Sequence, residues 1–174
     1  MQTTPTASPI SRRNLFRGHF AAAERAPLRP PWSLSETEFI ARCERCDECV
    51  KVCENHILVR GDGGFPSVDF SLGSCSFCAK CVAVCKPQAL HHGSDTPWHY
   101  QATINKSCLS LQGITCRSCG DGCEPRALRF RLATGGRAEP LINTTLCNGC
   151  GDCFYRCPVK AITMQSSETL SQSA

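Results

Sequence analysis

The chain has 174 residues, a net charge of +4, 12 aromatic residues and 16 cysteines. Modules with so few large apolar side chains cannot build a deep hydrophobic core, so something else has to hold them together. The sequence contains no run of 18 apolar residues, which excludes a transmembrane helix.

Residues 1–34 are predicted to form a basic N-terminal arm. Residues 1–31 carry five arginines and one glutamate, whereas the rest of the chain carries 14 basic and 14 acidic side chains. The stretch SRRNLFR looks like the start of a twin-arginine export signal, but such a signal needs an apolar core of about 7–15 residues. Only residues 20–23 are apolar before Glu24 and Arg25. We therefore expect no export, and an arm that either contacts a partner or is a disordered tail.

The cysteines form four groups, and none is left over. Three groups share the spacing C-x2-C-x2-C-x3-C: Cys43, Cys46, Cys49 and Cys53; Cys75, Cys78, Cys81 and Cys85; and Cys147, Cys150, Cys153 and Cys157. The remaining group has the stretched spacing C-x7-C-x2-C-x3-C: Cys108, Cys116, Cys119 and Cys123. Three thiolates at two-residue gaps can wrap one iron–sulfur cube, while the fourth cysteine ligates the other cluster of a pair. The spacing predicts four [4Fe–4S] clusters whose iron is bound by these cysteines.

Two other uses of cysteine fit the spacing poorly. Eight disulfides would need an oxidising compartment, and CxxCxxC loops offer poor pairing geometry within themselves. Structural zinc prefers two CxxC pairs that are separated by a longer loop and surround one ion.

Each pair of groups is expected to exchange its last cysteines, as in bacterial two-cluster ferredoxins. The expected ligand sets are Cys43, Cys46, Cys49 and Cys85; Cys75, Cys78, Cys81 and Cys53; Cys108, Cys116, Cys119 and Cys157; and Cys147, Cys150, Cys153 and Cys123. Cys108 is assigned because TINKSC precedes it as similar stretches precede the other groups. The alternative is that Cys108 is a buried free thiol and that the third site is incomplete.

The chain reads alike after each last cysteine, as CENHIL, CKPQAL, CEPRAL and CPVKAI. A short strand is predicted at each position, and hairpins with Gly-rich turns are predicted over residues 57–70 and 127–142. The sequence thus predicts four copies of one module. The expected fold is α+β, with tandem bacterial-type ferredoxin-like modules built of small hairpins and short helices around clusters.

The predicted modules divide the chain after the arm into two units. The first two-cluster unit is expected over residues 35–92 and the second over residues 103–165. The Gly- and Pro-containing stretch 93–102 is expected to be the junction between them. Residues 166–174 are expected to be a disordered tail.

The other polar residues suggest no catalysis. There is no Ser/His/Asp set, paired carboxylate motif or phosphate-binding loop, so we expect no enzyme activity. Since each cluster already has four cysteines, the histidines are interpreted as surface or turn residues: His56, His91, His92 and His99. The charged residues between ligands are interpreted as solvated, although they could also tune a potential or meet an acidic partner: Arg45, Lys51 and Arg156. Four clusters would move the net charge to about −4, which disfavours nucleic-acid binding.

Several stretches resemble the NapF family, the ferredoxin-type accessory proteins of periplasmic nitrate reductase systems. They are SRR in the arm, RPPWS (29–33), CERCDECVKVCENHIL (43–58), GGFPSVDF (63–70), CSFCAKC (75–81), CRSCGDGCEPRAL (116–128) and LCNGCGDCFYRCPVKAIT (146–163). The resemblance covers about residues 11–164. It implies a cytoplasmic protein that assembles or reduces the iron–sulfur cluster of the catalytic nitrate reductase subunit before export. The family is described by its three regular runs, and the group at Cys108 adds a fourth.

Two other functions stay open at this stage. One is a soluble electron-transfer ferredoxin in a quinol-to-nitrate-reductase chain. The other is a zinc-stabilised scaffold or nucleic-acid binder, which a brown iron–sulfur chromophore would exclude.

Overall fold

The computed structural model describes residues 27–93, 97, 98 and 100–166. The helices in this part of the chain are α1 (Glu36–Arg42), α2 (Glu48–Val52), α3 (Lys80–Ala83), α4 (Ser118–Asp121) and α5 (Asp152–Arg156). The strands are β1 (Leu58–Arg60), β2 (Pro66–Val68), β3 (Tyr100–Ile104), β4 (Leu128–Leu132), β5 (Ala138–Ile142) and β6 (Ile162–Ser166). Among these helices we find none with the length and apolar character needed to cross a bilayer.

The described strands pair into three two-stranded antiparallel sheets. Two of them, β1–β2 and β4–β5, are the hairpins predicted over residues 57–70 and 127–142. Their turns contain Gly63 and Gly135, whose φ angles of 64° and 78° are readily adopted by glycine. The second hairpin is longer, with five paired residues in each strand where the first has three.

The third sheet joins β3 to β6 along their whole lengths. Ala102, Ile162 and Met164 on these strands are buried. The intervening residues Thr103 and Thr163 hydrogen-bond to each other through their hydroxyls at 2.7 Å. This alternation follows the two-residue period of a strand with one face against the core.

The described part of the predicted arm, residues 27–34, packs onto the first half of the molecule, which comprises residues 35–92; the second half comprises residues 100–166. The amide of Val68 donates to the Leu28 carbonyl at 2.7 Å, and Ser33 forms an isolated antiparallel bridge with Leu90. Residues 1–26, which include the twin-arginine stretch, lie outside the described residues, as do residues 167–174 of the predicted tail.

Arg29 fixes this N-terminal segment in place. It is only 9% exposed, and its guanidinium donates to both carboxylate oxygens of Glu36 at 2.6 and 2.9 Å. A third N–H donates to the Pro66 carbonyl at 3.1 Å. The guanidinium also lies 5.0 Å from the ring centroid of Phe39 and 5.5 Å from that of Phe65. The Arg29 hydrogen bonds lower the pKa of Glu36 despite its partial burial.

One hydrophobic cluster runs through both halves, with Trp98 between them. Trp98 is 7% exposed, and its ring makes edge contacts with Phe70 and Phe77 at 5.7 and 5.8 Å between centroids. The predicted junction, 93–102, therefore contains a core side chain and the start of β3. Its residues 94–96 and 99 lie outside the described residues.

We expect Arg29→Lys to destabilise the protein by about 1–3 kcal/mol. A lysine cannot donate to the carboxylate and the Pro66 carbonyl in the same planar geometry, which leaves a buried acceptor without its donor. The matched control is Arg45→Lys, because Arg45 also lies 5.0 Å from the Phe65 ring but is exposed. The control should change stability by less than about 0.5 kcal/mol. Equal effects in anaerobic denaturation followed by circular dichroism would contradict the role given to Arg29.

Candidate iron–sulfur sites

The loops of the three regular cysteine runs share an unusual backbone. The residues before and after the second cysteine of each run have positive φ angles: Arg45 and Asp47; Phe77 and Ala79; and Gly149 and Gly151. This left-handed geometry turns the chain sharply and costs about 1–2 kcal/mol for each residue with a Cβ. The stretched run differs, because Arg117 follows its second cysteine with a φ of −136°.

The first expected ligand set lines one cleft with about 360 Å³ of empty space. Its cysteines are Cys43, Cys46, Cys49 and Cys85. Burial raises the pKa of the Cys49 thiol to about 12. The thiols that raise it further by charge repulsion are Cys81, Cys43, Cys85 and Cys46. Three of these four are the other members of the expected set.

The second expected set lines a cleft with about 390 Å³ of empty space. Its cysteines are Cys53, Cys75, Cys78 and Cys81. Burial raises the pKa of Cys75 to about 12, although a hydrogen bond from the Phe77 amide opposes the shift. The thiols that add charge repulsion at Cys75 are Cys81, Cys53 and Cys78. The structure thus brings the last cysteine of the first run to the second run.

The stretched set lines a cleft with about 350 Å³ of empty space. Its cysteines are Cys108, Cys116, Cys119 and Cys157. Burial raises the pKa of Cys119 to about 11. The thiols that raise it further by charge repulsion are Cys108, Cys116 and Cys157. Cys108 therefore lies with the other three, even though seven residues separate it from the next cysteine.

The lengthened loop between Cys108 and Cys116 packs against the second hairpin. Ser110 in this loop is buried, and its hydroxyl donates to the Ala138 carbonyl of β5. Ala138 belongs to the part of the second hairpin that extends beyond the length of the first. The longer loop and the longer hairpin thus stabilise each other, and Cys108 stays close to its group.

The last set in chain order, called the fourth set below, is Cys147, Cys150, Cys153 and Cys123. Burial raises the pKa of Cys153 to about 12. The thiols that add charge repulsion there are Cys150, Cys147, Cys119 and Cys123. Burial also raises the pKa of Cys150, which a hydrogen bond from the Asp152 amide opposes.

A tight turn follows the last cysteine of every group. The residue three positions on has a positive φ, and its amide donates to the carbonyl of that cysteine: His56, Gln88, Arg126 and Lys160. In three groups an amide one or two positions further on reaches the cysteine sulfur. The Leu90 amide donates to Cys85 and the Leu128 amide to Cys123, both at 3.4 Å, and the Ala161 amide donates to Cys157 at 3.2 Å. Such N–H donors stabilise a thiolate ligand and help to set the potential of its cluster.

These donors were missed by the sequence reasoning. The repeat after each last cysteine, CENHIL and its three counterparts, predicts only a short strand. The same repeat also signals the turn, because an equal spacing in each copy implies a similar backbone path, and in three copies the residues after this turn bring an amide to the sulfur.

The donor chemistry fits iron–sulfur clusters. No disulfide joins any of the sixteen cysteines, all of which lie within the described residues. Within the described residues, no three His, Cys, Asp or Glu side chains converge on a point that could hold a single ion. A cubane needs no such point, because each thiolate binds a different iron. When bound, the cluster supplies one-electron transfer, and its iron offsets the repulsion among the gathered thiolates.

The other residues considered in the sequence have local partners. His92 stacks on Trp32 with a centroid distance of 4.6 Å, and His56 occupies a turn. Lys51 pairs with Glu48 at 2.7 Å, and Arg156 pairs with Asp152 at 2.5 Å. These are the contacts of surface and turn side chains. His99 lies outside the described residues.

Comparison with known proteins matches a segment of each half to the same family model. The family model described as a 4Fe-4S dicluster domain matches residues 42–89 and 114–161, so Cys108 falls outside both matched segments. The chain is 46% identical over 168 residues to the ferredoxin-type protein NapF of Haemophilus influenzae, a match that covers 91% of this chain and 96% of that relative. It is 46% identical over 156 residues to NapF of Escherichia coli K12, covering 89% and 94%.

A more distant relative is the methylamine utilization ferredoxin-type protein MauM of Methylorubrum extorquens. It is 31% identical over 153 residues, a match that covers 78% of this chain and 70% of that relative. The two dicluster segments carry all the cysteines of the three regular runs. Given these segments and the extent of the similarity to NapF, the chain belongs to the NapF family of ferredoxin-type 4Fe-4S proteins.

Proposed function

We propose that this chain carries four [4Fe–4S] clusters and matures the catalytic subunit of periplasmic nitrate reductase in the cytoplasm before that subunit is exported. The maturation step is the assembly or the reduction of that subunit's own iron–sulfur cluster. The observation that carries the proposal is that the sixteen thiols gather as four sets of four. The choice of the catalytic nitrate reductase subunit as the client rests on the resemblance to the NapF family.

The proposed ligands follow the four sets described above, including Cys108, Cys116, Cys119 and Cys157 for the stretched group. With four cysteines at each cluster, no iron keeps an open position for a substrate. Such clusters exchange electrons without making bonds to a substrate, which supports a non-catalytic role. The two units expected over residues 35–92 and 103–165 would each hold two clusters.

A second candidate function is that of a soluble electron carrier to nitrate reductase. It is favoured by the exposure of Cys46 and Cys78, which would bring the edges of two clusters close to solvent. Exposed cluster edges suit electron exchange with a partner in a transient complex. The two functions differ in the state of the client on which they act: a maturation factor assembles or reduces the cluster of the unexported subunit, and a carrier delivers electrons to the mature enzyme.

The cluster count is tested by iron and sulfide analysis of the anaerobically purified chain. We expect about 16 iron atoms per chain, and about 12 in Cys108→Ala, because three thiolates hold a cube weakly. The control is Ser118→Ala, which alters a hydroxyl 3.9 Å from the Cys116 sulfur but removes no thiol. It should keep the full iron content. Full iron in Cys108→Ala would show that Cys108 is not a ligand.

The maturation role is tested in a strain that produces Cys147→Ser. We expect nitrate reductase polypeptide in normal amount with an activity several-fold below that of wild type and a reduced iron content of the catalytic subunit. The matched control is Thr144→Ser, at an exposed position in the same module. Normal activity with Cys147→Ser would reject both candidate functions. Low activity with normal iron in the purified subunit would exclude cluster assembly and leave cluster reduction before export or the electron carrier, which the recovery of the unexported subunit distinguishes.

The partner and the location are tested together by an anaerobic pull-down of the tagged chain from the cytoplasmic fraction. We expect it to recover the unexported catalytic subunit. Recovery of the chain only from the periplasm would contradict the proposed location.

A further inference from the structure

The two halves of the molecule meet through the backbones of two cysteine loops. The Cys75 amide donates to the Cys150 carbonyl at 2.8 Å. Cys75 belongs to the second expected set and Cys150 to the fourth. A single hydrogen bond therefore connects the loop of one cluster site in the first half directly to the loop of a cluster site in the second.

Aromatic side chains pack around this contact. Phe70 from the first half lies 5.7 Å from Trp98 and 6.3 Å from Phe154 between ring centroids. The Trp98 indole N–H donates at 3.0 Å to the carbonyl of Asn148, between the first two cysteines of the fourth run. Phe70 and Trp98 are buried, and through these contacts they hold the two loops against each other.

Gly151 allows the halves to approach so closely. Its φ is 81°, and a Cβ at this position would overlap the Phe70 ring. The equivalent residue in the second run is Ala79, which has the same left-handed backbone and carries a Cβ. The left-handed φ therefore does not by itself require a glycine here, whereas the approach of Phe70 does.

Within each half, the two sites are also neighbours. Helices α2 and α3, which carry cysteines of the first and second runs, pack against each other, and α4 and α5 do the same in the second half. Each half therefore places its two sites side by side. The contact between Cys75 and Cys150 then joins one site of each pair.

We propose that the four clusters form one electron relay, in the order of the Cys43, Cys75, Cys147 and Cys108 sets, with the hydrogen bond from Cys75 to Cys150 as the bridge between halves. The order differs from the order of the groups in the sequence, since the last group precedes the stretched one. The proposal rests on the cluster assignment proposed above. The Cys43 and Cys108 sets are the two ends of the relay.

The step at the bridge transfers one electron from a reduced cluster to its oxidised neighbour. One cluster loses the electron that the other gains, and no bond or proton is exchanged. An external low-potential one-electron donor reduces the cluster at one end of the relay, and a one-electron acceptor oxidises the cluster at the other end. The path from sulfur to sulfur runs through the Cys75 backbone, the hydrogen bond and the Cys150 backbone, and electron tunnelling is faster through bonds than through an open gap.

The order of the relay is tested by electron paramagnetic resonance on the full chain after reduction with dithionite. The double variant Cys46→Ala/Cys116→Ala keeps the inner pair of clusters, and Cys78→Ala/Cys150→Ala keeps the outer pair. We expect broadened, fast-relaxing signals from the inner pair, because magnetic coupling falls with the cube of distance. The outer pair should give two independent signals. Independent signals from the inner pair, or equal coupling in both variants, would overturn the order.

The bridge is tested with Gly151→Ala in the inner-pair background. The added Cβ should push Phe70 away and weaken the coupling severalfold. The matched control is Gly135→Ala, which has nearly the same φ of 78° but no atom within 4 Å of the added Cβ, and it should leave the coupling unchanged. Phe70→Leu provides a second variant whose substitution is not next to a cysteine. Unchanged coupling in Gly151→Ala and Phe70→Leu, with both clusters retained, would overturn the bridge.

Iron analysis of the same samples separates this proposal from the function it rests on. Full iron with an uncoupled inner pair would overturn the relay and leave the cluster assignment standing. Missing iron in the wild-type chain would reject the assignment itself. If the double variants lose all their iron, the coupling is measured instead by power saturation of the partly reduced full chain. Relative to wild type, Gly151→Ala should then weaken the coupling and Gly135→Ala should leave it unchanged.

Discussion

The structure depends on holding four sulfur atoms together at each site against their own repulsion. Burial and neighbouring thiols both raise the pKa of the most enclosed cysteines, to about 12 at Cys49 and Cys153. A bare set of thiolates at these positions would be unfavourable, and iron offsets that cost by its positive charge. The left-handed residues in the loops add a second cost. The short strands and helices form the frame that keeps these strained loops closed.

The cysteine spacing predicted much of this arrangement. The gaps of two residues and the exchange of last cysteines predict groups that the folded chain brings together, including Cys108 with Cys157 in one cleft. The two Gly-containing hairpins were also predicted correctly. These features are local, or follow from a rule that relates one run to the next, so they can be read from spacing alone. Whether each group binds a cluster remains a prediction.

Contacts between distant segments could not be predicted in the same way. Nothing in the spacing indicates that Thr103 and Thr163, 60 positions apart, lie opposite each other in one sheet. Arg29 was counted with the basic arm, but its charge is used within the first half by Glu36. Trp98 was placed in a junction because glycine and proline surround it. In each case the deciding factor is the shape of a surface formed by other segments, which composition does not record.

Both halves are closed by contacts between their first and last segments. In the first half, Ser33 bridges to Leu90, and in the second, β3 pairs with β6. During synthesis the first half can therefore close while the second is still being made, whereas β3 has to wait for β6 to leave the ribosome. The stretched set includes Cys157, which lies just before β6, so its cysteines come together only after that segment has been synthesised. The cysteine sets of the two halves thus assemble at different times in the life of the nascent chain.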